Sequence, residues 1–205
     1  MSKIIMSSLF SPNDSVWVLY AVHEETQELI SKKRMSALMV EYFFNIHNKG
    51  ITLNKDNDGK PHLSDSNYKI SISNSKNITV CAIYSKEIGI DIEFKRKIDS
   101  ACFVFLNNIY SDYISVASLE EWVKFESSLK LKGLKLESVA KKKISDINIF
   151  KGIIYKELFL DANYVAFLSS DDPIDTVNYK NISFNTLKNY VRDKNISEAG
   201  RYITS

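Results

Sequence analysis

Glycine is scarce in this 205-residue chain and scattered where it occurs: Gly50, Gly59, Gly89, Gly133, Gly152 and Gly200 are the six. That spacing excludes a GxGxxG dinucleotide turn and a GxxxxGK[ST] phosphate loop. Histidine is scarcer. His23, His47 and His62 stand too far apart for HExxH or for a Cys/His zinc pattern. No GxSxG nucleophile elbow is present. The two cysteines, Cys81 and Cys102, are too few and too far apart for a disulfide framework and imply reduced thiols in the cytoplasm. No run of about 18 apolar residues occurs, and the N-terminal MSKIIMSSLFSPNDS lacks a long apolar h-region, so neither membrane spanning nor secretion is expected. A net charge of +2 gives no reason to expect a nucleic-acid partner. Any chemistry must therefore come from carboxylates, lysines, hydroxyls or amides.

What is present suits a globular protein of one sizeable domain or two small ones. Eleven Phe, eleven Tyr and two Trp supply material for a core, and apolar residues make up 44%. SVWVLYAV (Ser15 to Val22) reads as a buried strand, being short, aromatic and β-branched. From Glu24 to about Asn45, apolar residues recur at three- and four-residue steps, a helical period. Residues 48–69 are polar and turn-rich. Strands are expected at Lys69–Ser73, Ile78–Tyr84 and Ile88–Phe94, then a helix from Ser118 to Leu131. Further strands are expected at Ile147–Ile154, Lys156–Leu160 and Tyr164–Ser170. The tail from Asn178 reads equally as a helix or a frayed end. NITVCAIYS in the first half resembles NYVAFLSS in the second, a faint sign of internal duplication.

Four short elements can carry chemistry. In GIDIE, side chains alternate across the strand, so Asp91 and Glu93 share a face about 7 Å apart and can share a hard cation such as Mg²⁺. Taken alone, the commoner meaning of such a pair is two solvated acids. In EEWVKFESSLKLKGL, Trp122, Glu126 and Lys130 fall on one helix face, where Glu126 could add a third carboxylate and Lys130 could reach a phosphate. Alone, Glu126 and Lys130 equally make an ordinary i,i+4 helix pair. DGKPHL (Asp58 to Leu63) is a turn that presents Lys60, restricted by Pro61. SISNSKN (Ser71 to Asn77) brings hydroxyls and amides to the end of a strand, suited to phosphate binding or to turn capping.

In this order and with these gaps, the elements resemble the 4′-phosphopantetheinyl transferase family, in particular its surfactin-type branch. The residues that carry the resemblance are Gly59-Lys60-Pro61, Ser73-Asn74-Ser75, Gly89 to Glu93, and Trp122 with Glu126, Ser127, Lys130, Gly133 and Leu134. The match covers roughly residues 30 to 170. The resemblance implies an α/β (α+β) fold built as a pseudo-twofold pair of lobes, each an antiparallel sheet packed on a helix, divided as 1–97 and 98–205. It implies transfer of phosphopantetheine from coenzyme A to a serine of an acidic apo carrier protein by a monomer. Asp91, Glu93 and Glu126 would hold Mg²⁺, with Glu126 as base and Lys130 on the leaving group. Coenzyme A would be held by Lys130, Lys60, Pro61, Ser73, Asn74, Ser75 and Arg34, with Lys33 as the alternative to Arg34 in register. A basic edge at Lys132, Lys135 and Lys141–Lys143 would face the carrier.

The chain departs from the family pattern twice. Asn74 stands where the family places a histidine that contacts the 3′-phosphate, and Phe125 stands where it usually places a lysine. Asparagine brings no positive charge, so weaker or differently supported 3′-phosphate binding is expected. A binding homologue without turnover and an unrelated Mg²⁺-dependent nucleotide hydrolase are the competing expectations.

Overall fold

The computed structural model describes residues 15–22, 32–46, 50–56, 59–64, 66–110, 113, 115–141 and 148–203; for residues 32–33 and 195–203 it describes the backbone alone. Two larger sheets and a hairpin organise the described residues. The first sheet holds β1 (Ser15–Val22), β4 (Lys69–Ser75), β5 (Ile78–Tyr84) and β9 (Thr176–Asn181), in the order β4-β5-β1-β9. The second holds β6 (Gly89–Phe94), β7 (Ile154–Glu157) and β8 (Tyr164–Ser170), in the order β6-β8-β7. β2 (Leu53–Lys55) and β3 (Pro61–Leu63) form the hairpin. The helices are α1 (Lys32–Ile46), α2 (Ser100–Tyr110), α3 (Leu119–Leu131), α4 (Leu136–Ala140) and α5 (Phe184–Ile203). Among the described residues no helix is long and apolar enough to cross a membrane.

Strand alternation sets the layers. Leu19 and Ala21 of β1, with Cys81 and Ile83 of β5, turn toward α1 and α5, where Met35, Met39, Phe43 and Leu187 bury them. The neighbouring residues Val16, Val18, Ile78, Val80 and Ala82 turn the other way. They pack on Ile90, Ile92, Ala166 and Leu168 of the second sheet. On that sheet's far side Val165 and Phe167 meet Val123 of α3. β5 and β8 are buried along their whole length because each is covered on both faces. That shared environment accounts for the likeness of their sequences, both short continuous apolar runs.

The chain is thus a mixed α/β protein of mainly antiparallel sheets. The first sheet is not purely antiparallel, since β9 runs parallel to β1 from Ser15 opposite Thr176 to Tyr20 opposite Asn181. Sheet pairing also crosses the division at residues 97 and 98 twice: β6 pairs with β8, and β9 returns to β1. α5 follows β9 back onto α1, with Tyr190 edge-on to Tyr42 at 5.6 Å and Lys194 bonded to Glu41 at 3.1 Å.

β1, β4, β5, β6, β8 and α3 lie where their periodicities put them. Residues 24–31, expected to open the first helix, lie outside the described residues. The polar stretch after α1 contains the β2–β3 hairpin rather than turns alone, and α2 occupies a span to which no element was assigned. Of the strand expected at Ile147–Ile154, residues 148–152 form a turn, and β7 begins only at Ile154. There Phe150 turns inward onto Phe125 at 5.4 Å, and Gly152 takes the left-handed φ of 83° that reverses the chain.

Candidate active site

The site begins at a glycine. In Gly89-Ile90-Asp91-Ile92-Glu93 the odd positions face α3 and the even ones face the inter-sheet core. A Cβ on Gly89 would lie 2.0 Å from the Ser127 carbonyl oxygen, 2.4 Å from Ser169 Oγ and 2.8 Å from the Leu131 nitrogen. Only glycine lets the backbone of α3 lie directly on β6 here. That close approach brings Asp91, two residues along, beneath the Glu126–Lys130 turn of the helix.

α3 is well defined at both ends. Ser118 Oγ accepts the Glu121 N–H at 3.2 Å, and the Glu121 carboxylate accepts the Ala117 N–H. At the other end Leu134 N–H donates to Leu129 O at 2.8 Å and Gly133 N–H to Lys130 O at 3.2 Å, with Gly133 left-handed at φ 65°. Fixed at both ends, the helix holds Glu126 and Lys130 in register over the strand.

The acids gather. Lys130 Nζ donates to Asp91 Oδ1 at 2.6 Å, with the Asp91 side chain only 4% exposed. Burial, and next the neighbouring Asp91 charge, push the Glu126 carboxyl up to about 8; contact with Asp91 and the Glu93 charge act the same way, and Lys130 opposes them. Asp91 Oδ2 is buried and takes no hydrogen bond. Three carboxylates around one ammonium leave an excess of negative charge, which one proton or one cation relieves.

In this arrangement, among the described residues, no three acidic, histidine or cysteine side chains stand together as a finished metal centre, and Lys130 lies against Asp91. The donor set nonetheless suits a hard divalent cation: all-oxygen ligands, crowded carboxylates and one buried oxygen without a partner.

β4 closes the far side. Ser71, Ser73 and Ser75 alternate with Ile70, Ile72 and Asn74, so the three hydroxyls face β6. Ile90 N–H donates to Ser71 Oγ and Phe94 N–H to Ser75 Oγ, each at 3.0 Å. Ser73 Oγ–H donates to Asp91 Oδ1 at 2.7 Å, and Ser75 Oγ–H to Glu93 Oε2 at 2.8 Å. The Ser73-Asn74-Ser75 element, expected as one coenzyme A contact, is therefore divided. Its serines are buried against the acids, and Asn74 points the opposite way.

Asn74 lines a groove of about 800 Å³ with Ser36 and Ala37 of α1, Lys55 and Pro61. Arg34 is exposed two residues before Ser36, about 200° around the helix from it, and the Lys33 side chain lies outside the described residues. A second cavity, about 260 Å³, lies between the β2–β3 turn and the end of α3. Lys60, Lys130 and Lys135 line it beside two left-handed glycines, Gly59 and Gly133. Lys60 Nζ lies 3.5 Å from where a Gly133 Cβ would be, so the turn and the helix end touch. Lys60 and Lys69 both contact Glu87, at 3.2 and 3.3 Å. Partial burial raises the Glu87 carboxyl, but the two ammonium groups outweigh it and hold the carboxyl below its usual range. Asp58, in the same turn motif, lies outside the described residues.

The other sequence expectations separate similarly. Phe125 points away from the acids into an aromatic cluster with Tyr110 at 5.4 Å and Trp122 at 5.9 Å, which explains an apolar residue there. Of the basic edge, Lys132 is bound to Asp171 at 2.7 Å and Lys141 to Glu137, Lys135 lines the smaller cavity, and Lys142 and Lys143 lie outside the described residues. Glu87 was not anticipated, and Ser71, expected within SISNSKN to serve phosphate binding or turn capping, instead accepts the Ile90 N–H. Comparison of the sequence with protein-family models and with curated proteins gives no match.

Proposed function

We propose that this chain is a phosphopantetheinyl transferase, moving the 4′-phosphopantetheine arm of coenzyme A to a serine of an apo acyl or peptidyl carrier protein. On this reading its two sheet-on-helix halves are the paired lobes of that family. One observation carries the proposal. Asp91 and Glu93 on β6 and Glu126 on α3 adjoin one another, with Lys130 among them and Lys60 across an adjacent cavity.

The roles follow from the placement. Asp91, Glu93 and Glu126 are the residues that would hold Mg²⁺, which when bound neutralises charge on a diphosphate. Burial and the neighbouring acids raise the Glu126 carboxyl in the metal-free protein, and a bound cation would favour its ionised form, in which Glu126 takes the proton of the carrier serine. The serine oxygen then bonds to the phosphorus bearing pantetheine, and the bond from that phosphorus to the bridging oxygen breaks. Adenosine 3′,5′-bisphosphate departs. Lys130 and Lys60 place positive charge where the leaving phosphate accumulates negative charge, and such positioning supplies most of phosphoryl-transfer catalysis. The free thiols of Cys81 and Cys102 accord with work in a reducing cytoplasm.

A homologue that binds without turnover is favoured by two features, the Lys130–Asp91 pair and Asn74 in place of a cationic contact. Incubation with coenzyme A, Mg²⁺ and an apo carrier, followed by intact mass, separates the readings. A carrier heavier by one phosphopantetheine supports the transferase. Bound coenzyme A with an unchanged carrier supports the binder, and cleaved coenzyme A without a carrier supports a hydrolase.

A further inference from the structure

We infer that the serine ladder of β4 works as the support of the carboxylate centre, with Ser73 and Ser75 as positioning residues for Asp91 and Glu93. The inference rests on the cation-binding reading above. Its basis is an asymmetry within one strand. All three hydroxyls face β6, and those of Ser71 and Ser75 take the N–H groups of Ile90 and Phe94, as main-chain groups of a neighbouring strand would. Ser73 and Ser75 additionally donate to a carboxylate, whereas Ser71 touches only backbone.

The consequence for Asp91 is geometric. Ser73 and Lys130 both engage Oδ1, which fixes the carboxylate plane and leaves Oδ2 buried and without a hydrogen bond. A ligating carboxylate held in this way need not lose rotational freedom on binding, and loss of such outer partners typically costs about 10- to 100-fold in metal affinity. Ser75 does the same for Glu93 through Oε2. Because Ser73 is buried, its hydroxyl is committed to Asp91 and is not a contact for a substrate phosphate.

Mn²⁺ binding read by electron paramagnetic resonance, with thermal unfolding measured on the same samples, tests this. Ser73→Ala and Ser75→Ala should weaken Mn²⁺ binding about tenfold or more. Ser73→Thr, which keeps the hydroxyl, should restore most of it. Ser71→Ala breaks the same strand bridge without touching an acid; it should lower the melting temperature and leave Mn²⁺ affinity within about twofold of wild type, since only carboxylate contacts set the outer shell. The inference is overturned if Ser73→Ala and Ser75→Ala bind Mn²⁺ like wild type, or if Ser71→Ala loses as much affinity as they do. It is equally overturned if Ser73→Ala raises the KM for coenzyme A with Mn²⁺ affinity unchanged, which would make the hydroxyl a substrate contact. A wild-type protein that binds no Mn²⁺ overturns the cation reading and this inference together. A wild type that binds Mn²⁺ and modifies its carrier, beside serine variants that bind Mn²⁺ equally well, overturns this inference alone.

Discussion

The two sheets meet along two seams of opposite chemistry. Along the first, Val16, Val18, Ile78, Val80 and Ala82 face Ile90, Ile92, Ala166 and Leu168 in a buried apolar cluster. Along the second, Ser71, Ser73 and Ser75 face β6 through four hydrogen bonds of 2.7 to 3.0 Å, two donated to the Asp91 and Glu93 carboxylates and two accepted from the Ile90 and Phe94 N–H groups. A single strand, β6, serves both: its even residues contribute to the dry seam and its odd residues to the wet one. The dry seam supplies stability by removing apolar area from water. The wet seam concentrates like charges that oppose folding and are useful only to a ligand. Stability and chemistry are thereby separated by the pleat of one strand, and substitutions on the two seams should separate too.

The largest separation is expected at Glu126. Glu126→Gln removes the base and one carboxylate, and carrier modification should fall about 10³-fold in kcat/KM. Its melting temperature at pH 8 should match or exceed wild type, because a crowded charge is gone. Equal losses of activity and stability would join the seams again. Ile90→Ala is the converse. A fully buried side chain truncated between two sheets should cost about 3 kcal/mol in urea unfolding, with Mn²⁺ affinity retained.

The pH dependence sharpens the comparison. In metal-free protein the Glu126 carboxyl stands at about 8 when folded, against 4.5 for an unperturbed glutamate side chain. A group raised on folding stabilises fully below its unfolded value and loses that contribution as pH climbs through the folded one. Unfolding free energy should therefore decline between about pH 4.5 and pH 8, by on the order of 2 kcal/mol after allowance for partial exposure. Glu126→Gln should flatten the slope, and Mg²⁺ should restore stability most at the alkaline end, where it displaces no proton. The smallest effect is expected at Asn74, which lies on neither seam. Asn74→His should lower the KM for coenzyme A about fivefold, near 1 kcal/mol, if the groove beside α1 receives the 3′-phosphate; an unchanged KM would place that phosphate elsewhere.

Local pattern made much of this legible. The alternation of GIDIE put Asp91 and Glu93 on one face, and the helical period put Glu126 and Lys130 on another, before any packing was known. What pattern alone could not give was adjacency. That ISISNS lies beside β6, so that its serines meet acids, depends on how two sheets stack, and a Ser-x-Ser-x-Ser strand looks the same beside water. β9 escaped notice because TVNYKN is polar, half-exposed and pairs with β1 across more than 150 residues of chain. α2 escaped because Val104 and Phe105, at 60% and 64% exposed, break the amphipathic period that marks a helix on a core. Phe150 misled in the other direction: its apolar neighbourhood suggested a strand, while its ring closes the aromatic cluster behind Phe125.

The central claim is that Asp91, Glu93 and Glu126 together hold one cation against a diphosphate. Anomalous diffraction from crystals grown with Mn²⁺ and coenzyme A tests it most directly. The account predicts one strong manganese peak bounded by those three carboxylates, with Lys130 turned from Asp91 toward a phosphate oxygen. Coenzyme A bound in the cleft with no peak at the three acids, and Lys130 still on Asp91, would contradict it.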